Sequence, residues 1–452
     1  MSVNKYGLIG HPLGHSLSPY IHERIMDAMN IKGRYELYDI KPEALSQDFP
    51  LLMRDLAGVN VTIPHKTGVI EMLDGLDASA ASCGAVNTVY KGRGYNTDID
   101  GFVSAGPDLT KKKVLVLGAG GVSRMMAFEA MKRDAKVRIC ARNEEKVLKL
   151  VAELSRIDAS RVEVLPPEAL HAAYDDEVIL NGTPVGMWPF CGETPFPGEA
   201  FLPGQVIFDT VYNPAATRMV LQAKKAGAKA GGGLAMLFAQ AVAAEKIFHP
   251  DKVFDNERFK PILKDLSFEM LKKSPMKYVF TGFMGAGKTT IAREVAERIG
   301  IDMIDLDEEI SKARGITVPE IFAQDGEAGF RKIEAAVLDE LLKRPGSAII
   351  ACGGGAIIEE RVRSIIRSRG AITIYLHAAL DCLWNRVGNC AGRPLLKYPD
   401  EEESARFSRV ARLYEMRLPI YEKYCDYRCD AEKEPYEVAT EIVDALGFGG
   451  NI

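Results

Sequence analysis

At 452 residues the chain is too long for one core; at roughly 100–200 residues per domain, two to four domains are expected. Hydrophobic residues make up 47% and charged residues 26%, ordinary values for a soluble globular protein. A net charge of −5 argues against a polyanion-binding surface, so nucleic acid is not an expected partner. No run of about 18 apolar residues suggests a membrane span. The eight cysteines are scattered without a CxxC pair, and Cys425 and Cys429 have no histidine nearby to complete a zinc set. The opening MSVNKYGLIGHPLGHS lacks the long apolar stretch of a secretory leader. With free thiols and an acidic balance, the expected compartment is the reducing cytoplasm.

Residues 3–10, VNKYGLIG, read as a strand running into a glycine turn. The stretch 19–30, PYIHERIMDAMN, repeats Ile21, Ile25 and Met29 at helical spacing behind Pro19, which predicts a helix with proline in its first turn. Residues 34–40 alternate as a strand does, and GVNVTIPHK is a short β-rich run stopped by Pro64. Candidate chemistry sits in HSLSP, GVNVTIPHK and GAVNTVYKGRGYNTDIDGF. Ser16 and Ser18 are two hydroxyls spaced for one small anion; the plainer reading is Ser18 as a helix cap before Pro19. Lys66 follows a strand and a proline, a place from which it can project into a cleft. Asn87 and Asp98 end successive strand-like runs, where either could simply close a turn.

From residue 113 the pattern changes. KVLVLGAGG is a continuous apolar run ending in glycines, as a buried parallel strand does. A helix to about 132 and a second buried strand, KVRICAR, complete a βαβ unit. VILNGTPVG and VIFDTVYNP add two strands, and GGLAMLFAQAVAAEKIF is a helix returning to the core. GAGGVSR fits G-x-G-x-x-G in part: Gly118 and Gly120 are present, with Ala119, Gly121 and Val122, while Ser123 takes the third glycine's place and is small enough to fit. NAD-binding units carry an acid at the next strand end to hold the ribose 2′-hydroxyl. Here ICARNEEK places Arg142 there and Lys146 four residues later, which suits a 2′-phosphate and favours NADP; a shifted strand end would present Glu144 or Glu145 instead.

HSLSP, NVTIPHK, GAVNT, NTD, GAGGVSR, NGTPVGM, YNP and GGLAMLFAQA, in that order, resemble shikimate dehydrogenase over about residues 4–265. The resemblance implies reversible, NADP-linked reduction of 3-dehydroshikimate to shikimate. It implies that Ser16, Ser18 and Tyr212 bind the carboxylate and that Thr62, Asn87 and Gln240 bind ring hydroxyls. Lys66 and Asp98 become the catalytic pair, and Gly233 falls where the family approaches the nicotinamide. Two features depart from the family. Ile99 and Asp100 stand between NTD and Gly101, which leaves Asp100 as a second candidate acid, and ARN replaces the usual NRT. The chemistry is coherent: a Lys ammonium stabilises developing oxyanion charge and supplies a proton, and an adjacent carboxylate orients it.

Residues 264–276, KDLSFEMLKKSPM, are charged, contain Ser-Pro and read as a seam, with 266–275 as linker. KYVFTG then begins a fresh strand and TTIAREVAERIG a helix, with Ile291, Val295 and Ile299 on one face. Between them Gly282, Gly287, Lys288 and Thr289 satisfy G-x-x-x-x-G-K-[ST], with Gly285, Ala286 and Thr290 in the same loop. Such a loop cradles phosphates; Lys288 neutralises β/γ oxygens and Thr289 can ligate Mg²⁺. DMIDLD reads as a strand whose alternation puts Asp305 and Asp307 on one face, one for Mg²⁺ and one for the acceptor hydroxyl. GEAGFRKIE places Arg331 on a helix a turn after Glu327. SAIIACGGG and AITIYL are strands, and GRPLL and MRLPIYEKY supply Arg393 and Arg417 before a helical end.

DLDEEI, GEAGFRKIE, CGGG, RPLL and RxPxYE, following GFMGAGKTT in order, resemble shikimate kinase over about residues 276–450. The resemblance implies ATP-dependent phosphorylation of the shikimate 3-hydroxyl. By it Asp307 holds and activates that hydroxyl, and Asp305 works near Mg²⁺. Arg331 and Arg417 clamp the carboxylate, and Gly354 and Gly355 present their backbone. Arg393 lies on a closing lid, and Arg386 stacks on adenine.

The expected fold class is α/β throughout. A substrate lobe covers 1–100 with 241–265 packed back on it; a Rossmann NADP lobe covers 101–240; a P-loop domain with a parallel sheet covers 276–452. The expected small molecules are 3-dehydroshikimate and shikimate, with NADP(H), ATP and Mg²⁺. Three alternatives stay open at this stage: a quinate-preferring dehydrogenase, a kinase for another small polyol such as gluconate, or one half serving as a non-catalytic nucleotide-binding regulator.

Overall fold

The computed structural model describes residues 4–14, 16–387 and 402–449. They form two compact units. One runs through Val185 and resumes over Pro195–Lys273; the other comprises Gly186–Thr194 and Ser274–Gly449. No helix among the described residues is long and apolar enough to cross a membrane.

The first unit carries two sheets. One contains β1 (Asn4–Gly10), β2 (Gly33–Asp39), β3 (Gly58–Val61), β4 (Gly75–Leu76), β5 (Thr88–Tyr90) and β6 (Arg93–Tyr95), in the order β2-β1-β3-β5-β6-β4. β1 pairs in parallel with β2 and β3, whereas β5 runs antiparallel to both β3 and β6. The last three strands are too short for an alternating pattern to stand out in sequence. Lys91 (φ 48°) and Gly92 (φ 75°) join β5 to β6, a pair of positive φ values suited to a two-residue hairpin turn. A Cβ at Gly92 would lie 2.0 Å from Asp74 Oδ2, so a larger residue there would also have to displace the Asp74 carboxylate.

The helix expected over 19–30 forms over Ser18–Ala28, burying Ile21, Ile25 and Met26. Ser18 does not cap it: the cap position is Leu17, which makes no side-chain cap bond. Helix Leu234–Phe248 and helix Lys260–Lys273 pack on it, so that Leu17, Ile21 and Ile25 share a core with Phe238, Leu266 and Met270. The stretch expected as a linker is thus helical as far as Lys273. Ile262, Leu266 and Met270 recur every four residues among the charges and bury one face.

The second sheet, β7 (Lys113–Leu117), β8 (Lys136–Cys140), β9 (Val162–Val164), β10 (Val178–Asn181), β11 (Val206–Asp209) and β12 (Lys229–Gly231), is wholly parallel in the order β12-β11-β10-β7-β8-β9. Val114 and Val116 enter one core with Met126 and Leu180, while Leu115 and Leu117 enter another with Ile179 and Met219. Burial of both faces is why this strand reads as an unbroken apolar run.

The second unit holds β13 (Lys277–Thr281), β14 (Asp302–Asp305), β15 (Ala348–Ala351), β16 (Ile372–His377) and β17 (Tyr427–Asp430), all parallel, in the order β14-β15-β13-β16-β17. Helix Lys288–Ile299 follows β13, buries Ile291, Val295 and Ile299, and stops at Gly300 in the left-handed conformation (φ 71°). β14 ends too early for the two carboxylates to share a strand face. Asp305 caps helix Leu306–Arg314 by accepting from the Asp307 N–H at 3.0 Å. Asp307 therefore stands in the first helical turn rather than beside Asp305 on a strand, because an aspartate ahead of a helical run satisfies the open N–H groups of its first turn.

Candidate active sites

In the first unit Lys66 lies in the turn after β3, with Nζ 2.6 Å from Asp98 Oδ2. The two side chains are 25% and 19% exposed, enough for a ligand to reach them. Asp98 opens helix Asp98–Ala105, and its N–H donates to Asn96 Oδ1 at 3.1 Å. Asn87 stands just ahead of β5 rather than at a strand's end. Its Nδ2 donates to Asp98 Oδ1 at 2.9 Å, while its Oδ1 accepts from the Thr97 N–H at 2.8 Å and so fixes the amide's orientation. Thr97 Oγ1 in turn donates to Gln240 Oε1 at 3.3 Å. Lys66, Asn87, Asp98 and Gln240 are thereby linked. Among the described residues no hydrogen bond joins Asp100 to Lys66; burial raises the Asp100 carboxyl, with Asp77 adding repulsion. Ser16 Oγ accepts from the Ser18 N–H at 3.2 Å, and the Thr62 N–H donates to the Ile9 carbonyl at 2.8 Å. Tyr212 packs on the Leu17 core, and burial raises its hydroxyl. Among the described residues no hydrogen bond ties these four to the Lys66 group.

At the end of β7 Gly118 adopts φ 101°, and Gly120 caps helix Gly121–Lys132. A Cβ on Gly120 or Gly121 would meet nothing within 4 Å, so the backbone there is open to a ligand. Ser123 is fully buried, its Oγ donating to the Leu117 carbonyl at 3.2 Å, and it accepts close packing against Gly118 and Gly182. Arg142 and Lys146 stand exposed after β8, where Asn143 caps the next helix by accepting from the Lys146 N–H at 2.9 Å. Glu144 and Glu145 lie in that helix's first turn. Gly233 caps helix Leu234–Phe248, and a Cβ there would sit 2.1 Å from the Thr210 carbonyl oxygen.

In the second unit Gly282, Gly285 and Gly287 take φ values of 152°, 85° and 76°, a loop that needs glycine at each step. Ala286 is buried and Thr290 exposed. Lys288 Nζ donates to the Gly282 and Phe283 carbonyls, both at 3.0 Å. Thr289 Oγ1 donates to Asp305 Oδ2 at 3.0 Å, joining the P-loop to the end of β14. Asp307 reaches the glycine loop after β15: a Cβ on Gly353 would lie 3.3 Å from its Oδ1. Arg331 pairs with Glu334 at 2.6 Å and Glu327 at 3.3 Å, and its guanidinium lies against Gly355, where a Cβ would come within 2.2 Å of Nη2. Arg386 donates to the Ala431 carbonyl at 2.8 Å. Arg417 is 9% exposed, on helix Glu403–Tyr424. Arg393 lies outside the described residues.

Comparison with known proteins finds relatives for both halves of the chain. The "Shikimate dehydrogenase (NADP(+))" of Caldanaerobacter subterraneus subsp. tengcongensis is 34% identical over 268 residues, covering 56% of this chain and 96% of the relative. The chain belongs to the shikimate dehydrogenase family. A profile described as shikimate dehydrogenase substrate binding domain matches residues 8–89, and one described as shikimate kinase matches 284–447. The dehydrogenase of Geobacillus kaustophilus is 38% identical over 253 residues, covering 53% of this chain and 91% of the relative. Among solved structures, the shikimate 5-dehydrogenase of Thermus thermophilus in complex with NADP(H) and shikimate matches at TM-score 0.52 and 31% identity, covering 58% of this chain and 98% of that one. A chorismate mutase/shikimate 5-dehydrogenase fusion from Clostridium acetobutylicum matches at TM-score 0.54 and 32% identity, covering 60% and 99%. Both halves thus match families named for shikimate, and the alternatives of a different polyol or a non-catalytic half gain no support.

The residues present fit the cofactors of these families. Open backbone at Gly120 and Gly121, with Arg142 and Lys146 exposed beyond β8, suits the pyrophosphate and 2′-phosphate of NADP(H). The positive-φ glycines and Lys288 suit ATP. No cluster of three or more His, Cys, Asp or Glu side chains among the described residues could hold a metal alone. Mg²⁺ is commonly held through one or two protein oxygens plus substrate phosphates, and the Thr289–Asp305 pair supplies such oxygens.

One residue of this site was not singled out from sequence. Glu334 closes the GEAGFRKIE motif one turn after Arg331 and is fully buried. Its Oε1 has no hydrogen-bond partner among the described residues. Burial pushes its carboxyl up to about 7 against the pull of Arg331, with Asp307 adding repulsion. The signal available was its spacing of three from Arg331, the usual helical neighbour distance.

Proposed function

We propose that one chain carries out two consecutive reactions: NADPH-dependent reduction of 3-dehydroshikimate to shikimate, then ATP- and Mg²⁺-dependent phosphorylation of shikimate to shikimate 3-phosphate. The observation that carries this reading is the Lys66–Asp98 contact at 2.6 Å, in a chain that also holds a P-loop tied to Asp305 at 3.0 Å.

In the reduction, bound NADPH supplies the hydride. Lys66, as ammonium, faces the carbonyl oxygen, stabilises the charge that develops there and delivers the proton. Asp98 holds Lys66 in place, and Asn87 holds Asp98. Ser16, Ser18 and Tyr212 take the carboxylate; Thr62, Asn87 and Gln240 take ring hydroxyls. Arg142 and Lys146 hold the 2′-phosphate. On that account Arg142→Ala raises the KM for NADPH by roughly tenfold or more while changing that for NADH little, since a charged hydrogen bond is worth about 1.5–3 kcal/mol. Steady-state kinetics with both coenzymes measures this.

In the transfer, bound ATP with Mg²⁺ supplies the phosphoryl group. Asp307 orients the 3-hydroxyl and takes up its proton, and Lys288 neutralises phosphate charge. Arg331 and Arg417 fork the carboxylate. Gly354 and Gly355 present their backbone to it, Arg386 faces adenine, and Arg393, outside the described residues, supplies charge to the transferring phosphate. Gly355→Ala pushes a methyl into Arg331, so the KM for shikimate is expected to rise about tenfold with the KM for ATP unchanged. The experiment for the whole reading is one coupled assay of purified chain with 3-dehydroshikimate, NADPH, ATP and Mg²⁺. Mass detection of shikimate 3-phosphate supports it, and accumulation of shikimate alone removes the kinase half.

A further inference from the structure

The substrate pocket of the kinase unit is assembled from two elements far apart in sequence. The glycine loop Gly353–Gly355 follows β15, and Arg417 rides on helix Glu403–Tyr424. One side chain meets both. Tyr421 is fully buried, one turn beyond Arg417 on the same helix. Its hydroxyl donates to the Gly354 carbonyl. Its ring stacks on Tyr375 of β16, with centroids 5.1 Å apart and planes at 19°. Burial pushes the Tyr421 hydroxyl up to about 12, with the Arg417 guanidinium beside it pulling the other way, so the hydroxyl keeps its proton and remains a donor.

Gly354 is itself tightly placed. A Cβ there would lie 3.1 Å from the Gly282 carbonyl oxygen at the start of the P-loop. The neighbouring Gly355 lies against Arg331. The Tyr421 hydroxyl thus joins the helix that bears one carboxylate-binding arginine to the loop that abuts the other.

From this geometry we infer that Tyr421 is a positioning residue for the acceptor acid, holding Arg417 and the Gly353–Gly355 loop at the separation that lets both arginines grip one carboxylate. It touches no reacting atom and acts through Gly354 and Arg417. The inference rests on the shikimate kinase reading of this unit and adds to it a residue whose loss weakens acid binding without touching nucleotide binding.

The test is steady-state kinetics of the full chain carrying Tyr421→Phe, with shikimate and ATP varied independently. The phenyl ring keeps the stack on Tyr375 and loses only the hydroxyl. The expected result is a rise of about tenfold in the KM for shikimate, as for loss of a buried hydrogen bond, with kcat within about twofold and the KM for ATP unchanged. Tyr375→Phe, which removes a hydroxyl from the same stack, keeps the wild-type KM for shikimate. The inference is overturned if Tyr421→Phe leaves that KM within about twofold of wild type, if the KM for ATP rises in step, or if Tyr375→Phe has an equal effect. Failure of the wild-type chain to phosphorylate shikimate at all would instead count against the underlying reading.

Discussion

Lys66→Met lowers turnover of 3-dehydroshikimate by about 10²–10⁴-fold, the range for loss of a positioned general acid, and leaves shikimate phosphorylation by the same protein at its wild-type rate. Methionine keeps the length and the apolar stem of lysine, so the substitution removes charge and proton with little loss of packing. What remains is Asp98 without its partner at 2.6 Å, still held by Asn87 at 2.9 Å. An uncompensated carboxylate beside a carbonyl that is gaining negative charge opposes reduction further. The effect belongs in kcat, because the ammonium acts where charge develops, with a smaller change in KM. NADPH oxidation followed by absorbance gives the first number, and a coupled ADP assay on the same sample gives the second. Dehydrogenase turnover near wild type would remove Lys66 from the chemistry.

Lys288→Met is expected to cut shikimate phosphorylation by about 10²–10³-fold or more, as when a preorganised donor is removed from a developing charge. Dehydrogenase turnover stays unchanged. Lys288 Nζ now donates to the Gly282 and Phe283 carbonyls at 3.0 Å each, so its ammonium already sits within the loop that must receive phosphate oxygens. Methionine offers neither the charge nor the bonds. Nucleotide affinity should fall with turnover, which separates this variant from Gly355→Ala, where only the acid is affected. Measuring ADP binding by calorimetry alongside ADP release in turnover checks both parts. Normal phosphorylation of shikimate by Lys288→Met contradicts the P-loop assignment.

The strands most legible in sequence are those buried on both faces, and the helices Ser18–Ala28 and Lys288–Ile299 were legible from one apolar face. KVLVL, KYVFT and AIIA become β7, β13 and β15 because a strand between two layers is apolar along its buried length, here Val114–Leu117, Tyr278–Phe280 and Ala348–Ala351. Glycine punctuation was equally readable, since Gly118, Gly282 and Gly287 take φ values that other residues rarely adopt. What escaped was short or edge structure. β5, β6 and β17 have three or four residues each, and half-exposed strands of that length carry too few positions for a period. Helix Lys260–Lys273 was masked by its charges, though Ile262, Leu266 and Met270 mark its buried face.

The sites show the same division. Lys66 sits in the turn after β3, and Asp98, Lys288 and Thr289 in the first turns of helices Asp98–Ala105 and Lys288–Ile299, all beside elements that pattern reveals, so their segments could be found. The placement of Asp307 was missed because a strand reading and a capping reading compete for Asp305, and only the backbone decides between them. Glu334 was missed because an acid on a helix is ordinarily a solvated face, and nothing in sequence marks this one as fully buried.

The central claim is that a small polyhydroxylated acid is bound twice on this chain, once in each unit. Calorimetric titration of shikimate into the full protein, with the non-reacting partners NADPH and ADP·Mg²⁺ present at saturation, tests it most directly. The account predicts two molecules bound per chain, falling to one when Arg331 and Arg417, which fork the carboxylate in the kinase unit, are both replaced by alanine. A stoichiometry of one or zero in the wild-type chain would contradict it.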